Sequence, residues 1–353
     1  MRSRIVNRRS WPGAVTAALI IGIGQLARLP VPSTYRSGQE ACYEWAQSRA
    51  HGKPLRADVV VMGNSGAQFG ISPDELSRHL RLPGIERNPR VINLAIPGAS
   101  PAVERWLWRR VVSRGTSQPA LLVLGLAPID LTDKSPGTDY ALRYLFSARD
   151  TRWLVASGQI DSAASLLTDR LFPLYARSMA VRDMIARRTP LPMLPRPPET
   201  RRWWIPAYYR WYRDYRVQPF QTRSLEQLIT DARRQGVRVV VVALPVHPSL
   251  QAVTEGGVVR GARRPVKSAP QQERAATPLS IFSATIGDIT NRHRIAYFNY
   301  LTPQQAVRFE YADPPHLAPR AAARFTVELA HRINAQFVPR RAVTVRRGDS
   351  PSE

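Results

Sequence analysis

The chain has 353 residues, 44% of them hydrophobic and 8% aromatic, enough for one large domain or two small ones with a full apolar core. Its formal net charge is +25, carried almost wholly by arginine, since Lys53, Lys134 and Lys267 are the only lysines. Such basicity favours anionic surfaces such as lipid headgroups or acidic glycans, but scattered arginines without zinc spacing, helix-turn-helix or single-strand-binding signature argue against nucleic acid, and a single cysteine, Cys42, excludes an intrachain disulfide.

Residues 1–10 form a basic tail with Arg2, Arg4, Arg8 and Arg9, and residues 11–30 are mostly apolar. This is the pattern of a positive n-region and a hydrophobic span. No small-x-small cleavage site is clear, so an uncleaved signal anchor is favoured over a cleaved signal peptide. A buried N-terminal helix of a cytoplasmic protein is the remaining alternative. The positive-inside bias places the tail in the cytoplasm and everything after about residue 35 outside, as a single-pass membrane protein.

A helix is expected over 36–52. Val59 to Met62 is a short apolar, β-branched run, as in a buried parallel strand. Pro73 to Leu82 reads as a helix with Ser72 as cap, Pro73 in its first turn and Glu75 two residues on. Val91 to Ala95 is a second strand, Pro101 to Arg114 a helix capped by Ser100, and Ala120 to Leu126 a third strand. Regular alternation fails over 133–221, which reads as a helical insertion with helices near 138–147 and 159–187, a proline-rich linker and the aromatic segment 203–215. That segment suits stacking on sugars, resting at a membrane interface, or plain packing on the core. A helix over Ser224–Gln235 and a strand over Val237–Leu244 follow, then a surface loop over 250–276. A helix over Pro278–Arg292, a strand over Ile295–Tyr300 and a helix over Pro319–Gln336 complete the domain, which spans 36–338. Residues 339–353 read as a disordered tail. Five strands alternating with helices predict an α/β three-layer sandwich around a five-stranded parallel sheet.

In such sheets, sites form beyond the carboxyl ends of the strands. Ser65, in the turn Gly63-Asn64-Ser65, lies there, at the passage from the first strand into a loop. Asp313 and His316, separated by Pro314 and Pro315, lie in a loop beyond the fifth strand. A hydroxyl, an imidazole and a carboxylate are the parts of a nucleophilic triad, and the two prolines hold the carboxylate and the imidazole in a stiff loop. His247, at the end of the fourth strand, is a candidate substrate contact or a structural histidine in a rigid turn. No metal-ligand cluster and no phosphate-binding glycine loop appear, so neither metal nor cofactor is expected.

The combination of a Ser after the first strand with a late Asp-x-x-His resembles the SGNH/GDSL hydrolase superfamily, whose sheet is flavodoxin-like. The Gly63-Asn64-Ser65 turn, followed by Phe69-Gly70-Ile71, looks like its membrane-anchored, cell-envelope branch. Asn93-Leu94-Ala95-Ile96-Pro97-Gly98 matches the second block, and the resemblance gives the Gly98 N–H an oxyanion role, with Asn93 in the same block. The third block, Gly-x-Asn-Asp, departs: Gly125-Leu126-Ala127-Pro128-Ile129-Asp130 lacks the oxyanion asparagine, and the Asn64 side chain is a candidate substitute. The resemblance covers 57–130 and 225–337. It implies an extracytoplasmic serine esterase or O-acyltransferase, with Ser65, Asp313 and His316 catalytic. The substrate would be an ester, most plausibly an acetylated cell-surface or secreted polysaccharide, with a membrane-bound acyl donor protein as partner for a transferase. The alternative is a weak or inactive relative that binds glycan or serves envelope assembly.

Overall fold

A computed structural model of the chain describes residues 38–52, 55–115, 118–132, 145–156, 159–171, 208, 210–212, 214–254 and 277–337. The expected basic tail 1–10, signal anchor 11–30 and disordered tail 339–353, most of the expected 250–276 loop and much of the expected insertion lie outside these residues. Among the described residues, no helix is long and apolar enough to cross a membrane.

Helix α1 (Gly38–His51) leads into β1 (Val59–Gly63), then α2 (Ser65–Gly70), α3 (Pro73–His79) and β2 (Val91–Asn93). Helix α4 (Pro101–Leu107) continues as a π turn (Trp108–Val112) before β3 (Leu121–Leu126) and a 3₁₀ turn at Pro128–Leu131. The described part of the insertion holds a 3₁₀ turn at Ala148–Asp150, α5 (Thr151–Ala156) and α6 (Ile160–Leu171). Then come α7 (Pro219–Arg234), β4 (Arg238–Ala243), α8 (Pro248–Thr254), α9 (Pro278–His293) and β5 (Ala296–Asn299). A short α10 (Pro303–Ala306), the strands β6 (Tyr311–Asp313) and β7 (His316–Leu317), and the long α11 (Pro319–Phe337) close the described chain.

Strands β1 to β5 form one parallel sheet in the order β2-β1-β3-β4-β5. The central strands are buried throughout, which is why they read as unbroken apolar runs. Alternate side chains serve opposite faces. Val60, Met62, Leu122, Leu124 and Val241 pack with α1, α4, α7 and α9, while Val59, Val61, Leu121, Val123 and Val240 pack with α2, α3 and α11. The sheet therefore sits between two helical layers, the three-layer architecture expected.

Several local expectations change. The chain after β1 enters a helix at Ser65 rather than a loop. Ser100 occupies the cap position of α4 but makes no capping bond, and its Oγ is buried without a partner, whereas Ser72 caps α3 as expected. Helix α7 starts at Pro219, inside the expected insertion, because proline is pre-organised for the first helical turn. The first residues of the expected 250–276 loop belong to α8. The Asp313–His316 loop is an antiparallel β6–β7 hairpin.

Candidate active site

The site begins with two glycines. Gly63 and Gly125 pair across β1 and β3, and a methyl group at either would come within 2.7 Å of the Ala67 Cβ. Their missing side chains leave the notch into which α2 packs, and Gly63 also has a φ of +147° that a larger residue resists. Asn64 then caps α2, its Oδ1 accepting from Gly66 N at 2.7 Å, which puts Ser65 first in the helix. Asn64 O accepts from Ala67 N and Gln68 N. Among the described residues, the Ser65 N–H has no acceptor.

From the far end of the chain the β6–β7 hairpin brings in the other two groups. His316 Nδ1 lies 2.7 Å from Asp313 Oδ1, and His316 Nε2 lies 2.8 Å from Ser65 Oγ. With the Nδ1 proton donated to the carboxylate, Nε2 is left to accept from the hydroxyl. The hairpin is fastened at Pro314, whose carbonyl accepts from His247 N at 2.9 Å. Phe69 meets the His316 ring edge to face at 5.2 Å.

Asn64 Nδ2 reaches both oxygens of Asp130, at 2.9 and 2.7 Å, so its amide is committed and is not offered to an oxyanion. The substitute donor expected at Asn64 is thus a positioning group instead. Asp130 also accepts from Ala127 N at 2.7 Å and is wholly buried. Burial pushes its carboxyl up to about 7, against the pull of the Asn64 and Ala127 donors. Glu104 on α4 is buried with both oxygens lacking a hydrogen-bond partner, and burial, with the charge of Asp130, raises it well above the usual carboxylate range. Sequence reasoning passed over both acids. The available signal was an acidic residue within an otherwise apolar stretch.

The remaining candidates divide. Gly98, with φ +71°, lines the cleft beside Ser65, and the preceding Pro97 carbonyl is held by the Tyr43 hydroxyl at 3.3 Å. Asn93 lies behind the cleft. Its Nδ2 donates to Ala67 O and Ile71 O at 3.1 and 3.0 Å, and its Oδ1 accepts from Ala95 N at 2.9 Å. It therefore ties α2 to the sheet edge rather than facing substrate. The His247 Nδ1 accepts from Ser249 N at 3.1 Å, and its ring stands edge-on to Tyr311. His247 does not line the cleft; its backbone braces the hairpin.

The cleft has a volume of about 210 Å³, and its walls include Ile129, Tyr208, Trp211, Leu244 and Val246. Tyr208 and Trp211 of the aromatic segment thus form part of a cleft wall. Tyr208, Tyr212 and Tyr215 are buried in one row of rings, and the Tyr215 hydroxyl donates to Pro128 O at 3.0 Å. Burial, with the charges of Asp130 and Asp313, raises the Tyr208 phenol above its ordinary range. Residues 203–207, 209 and 213 of that segment lie outside the described residues.

No family model matches the chain, and no curated protein matches its sequence. Among solved structures, it is similar to TesA at 13% identity, with 79% of this chain and 99% of that one covered and a TM-score of 0.33. It is similar to a GDSL-like lipase from Bacteroides thetaiotaomicron at 11% identity, with 84% and 98% covered and a TM-score of 0.39. It is also similar to AlinE4, an SGNH-hydrolase family esterase, at 13% identity, with 82% and 100% covered and a TM-score of 0.32. At these scores the likeness is one of general layout, and no residue's role in this chain is taken from it.

Proposed function

We propose that this chain is a serine esterase or O-acyltransferase of the SGNH type, with Ser65 as nucleophile, His316 as general base and acid, and Asp313 as the orienting carboxylate. The observation that carries this reading is the unbroken relay from Ser65 Oγ through His316 to Asp313, at 2.8 and 2.7 Å. Ser65 Oγ gives its proton to His316 Nε2 as it attacks the acyl carbonyl. The departing alcohol takes that proton, leaving an acyl-serine. Water or a sugar hydroxyl then gives a proton to His316, attacks the acyl carbon and releases Ser65. Asp313 stabilises the transient imidazolium.

Charge developing on the carbonyl oxygen falls to the N–H groups of Ser65 and Gly98. Ile129 and Ala127 carry no side-chain donor, and the Asn64 amide is spent on Asp130. Loss of one oxyanion donor costs about 3–4 kcal/mol in the transition state, so a low turnover is expected. A cleft of about 210 Å³ with apolar walls suits a short acyl group such as acetyl. The substrate proposed is an acetylated cell-surface or secreted polysaccharide, met outside a membrane that residues 11–30 anchor. A transferase would draw its acyl group from a membrane-bound donor protein. The missing donor also favours a second reading, a weak or inactive SGNH-type protein that holds glycan without turning it over.

Hydrolysis of p-nitrophenyl acetate by wild type and Ser65→Ala separates the two. Loss of about a thousandfold or more in Ser65→Ala is expected, with p-nitrophenyl octanoate a poorer substrate than the acetate. Equal turnover by both proteins would remove the enzyme reading and leave the binding one.

A further inference from the structure

A second cavity, of about 390 Å³, opens on the flank of α4 and its π turn, and shares no residue with the cleft. Arg105, Arg109, Arg110, Arg114 and Arg149 all line it. Arg105 and Arg109 share a helix face at i and i+4. The π turn, with Ser113 N bonded to Trp108 O, adds a residue to the turn, and Arg110 within it also lines the cavity. Arg149 comes from the opposite wall, on the 3₁₀ turn before α5.

Among the described residues, the only carboxylate lining this cavity is Asp150, and it is already engaged. Its Oδ1 lies 3.6 Å from Arg110, and its Oδ2 accepts from Ser147 N and Oγ at 2.7 and 2.8 Å. Arg105 has Asp231 at 3.8 Å and lies over the Trp153 ring at 5.9 Å, but its Nε is buried without a hydrogen-bond partner. Among the described residues, neither Arg109 nor Arg149 has a carboxylate within ion-pair distance. Like charges gathered in a recess repel one another and raise the local concentration of anions. Burial lowers the Arg105 pKa, Asp231 offsets part of that, and Arg109 adds a smaller lowering.

We propose that this cavity binds a phosphate-bearing ligand of sugar-phosphate size, its phosphate held by Arg105, Arg109 and Arg149 and its body resting on Trp153. A tetrahedral dianion presents acceptors in several directions and satisfies guanidinium forks from two walls at once, whereas one carboxylate satisfies one fork. The volume admits a monosaccharide ring with its phosphate but not a nucleic-acid duplex. The proposal stands apart from the hydrolase reading and survives its failure.

The test is calorimetric titration of the full chain with glucose 6-phosphate, inorganic phosphate, glucose and glycerol 3-phosphate, the soluble headgroup fragment of a phospholipid. Saturable binding of glucose 6-phosphate, with none of glucose, is expected. The double variant Arg109→Ala/Arg149→Ala is expected to weaken it about tenfold or more, with an unchanged circular dichroism spectrum and unchanged p-nitrophenyl acetate turnover. Should the double variant misfold, Arg149→Gln alone, on an exposed turn, reads the same loss. Glycerol 3-phosphate binding that the double variant loses, without sugar-phosphate binding, supports the proposal and assigns the phosphate to a lipid headgroup. Absence of saturable binding to every phosphate probe, or binding equal in wild type and variants, overturns it.

Discussion

Asn64 and Asp130 are matched partners: an amide donates to both oxygens of a buried carboxylate, and the amide oxygen caps the helix that carries Ser65. Asn64→Asp puts two carboxylates in contact where both cannot ionise. Urea unfolding at pH 8 is expected to show a loss of about 3 kcal/mol, smaller at pH 5. Adding Asp130→Asn exchanges donor and acceptor and should recover most of that loss. A double variant no more stable than Asn64→Asp alone would refute the pairing. Asp130 also sets a pH dependence. Its folded pKa, about 7, lies above the unfolded value of 3.8, so between these values the folded chain holds the extra proton. Its contribution to stability is full below about pH 4 and is lost as pH rises through 7, at about 1.4 kcal/mol per unit. Wild type should therefore lose more stability than Asp130→Asn between pH 5 and pH 7, and parallel curves would refute this. Ser65, Asp313 and His316 were legible because their chemical types stand at strand ends or three residues apart. The clamp was not, because Asp130 acquires meaning only from a residue 66 positions earlier. Asn93 misled for the same reason, since the carbonyls that claim its amide belong to a helix folded back over the strand.

At the scale of the element, the notch between β1 and β3 decides where α2 starts and so where Ser65 points. Gly63→Ala must accommodate both a φ of +147° and a methyl group driven against Ala67 and the Gly125 backbone. Gly84 provides the control, with a φ of +84° and nothing within 4 Å of an added methyl. Urea denaturation is expected to give a loss of about 1 kcal/mol for Gly84→Ala and about 3 kcal/mol or more for Gly63→Ala, together with a fall in esterase turnover only in the latter. Equal losses would mean that the contact with α2 does not matter. The central strands were legible because burial on both faces leaves them no polar positions. Strands β2 and β5 run shorter than their apolar runs suggest: Leu94, Ala95 and Tyr300 are buried beyond the strand ends, where the Leu94 and Tyr300 N–H groups still donate to Val61 O and Ala243 O. The hairpin was hidden by its two prolines. They suggest a stiff loop, but cross-strand pairing depends on Tyr311 and Leu317, whose partnership local spacing does not reveal.

At the scale of the molecule, the strand order places the first three strands' ends where the chemistry needs them. Strand β1 lies between β2 and β3, so the loops leaving β1 and β3 turn to opposite sides and open a crevice. Ser65, Gly98 and Ile129 line that crevice from the ends of β1, β2 and β3, and the hairpin after β5 closes it with His316. Alternating strands and helices foretold the layers, but not this order, which follows from long-range pairing rather than from any local pattern. The layers also constrain where an anchor at 11–30 would act. Helix α1 packs on the α4 side, with Tyr43 bonded to Pro97 beside Gly98, so the chain enters the domain near the crevice. A membrane anchor at 11–30 would then hold the cleft near the bilayer, within reach of substrates at the envelope surface. The expected outcome is that the full chain sediments with membranes and resists an alkaline carbonate wash, while a chain begun at residue 36 stays in the supernatant with its p-nitrophenyl acetate turnover intact. Recovery of the full chain in the soluble fraction would remove the anchor and, with it, the reason to seek the substrate outside the membrane.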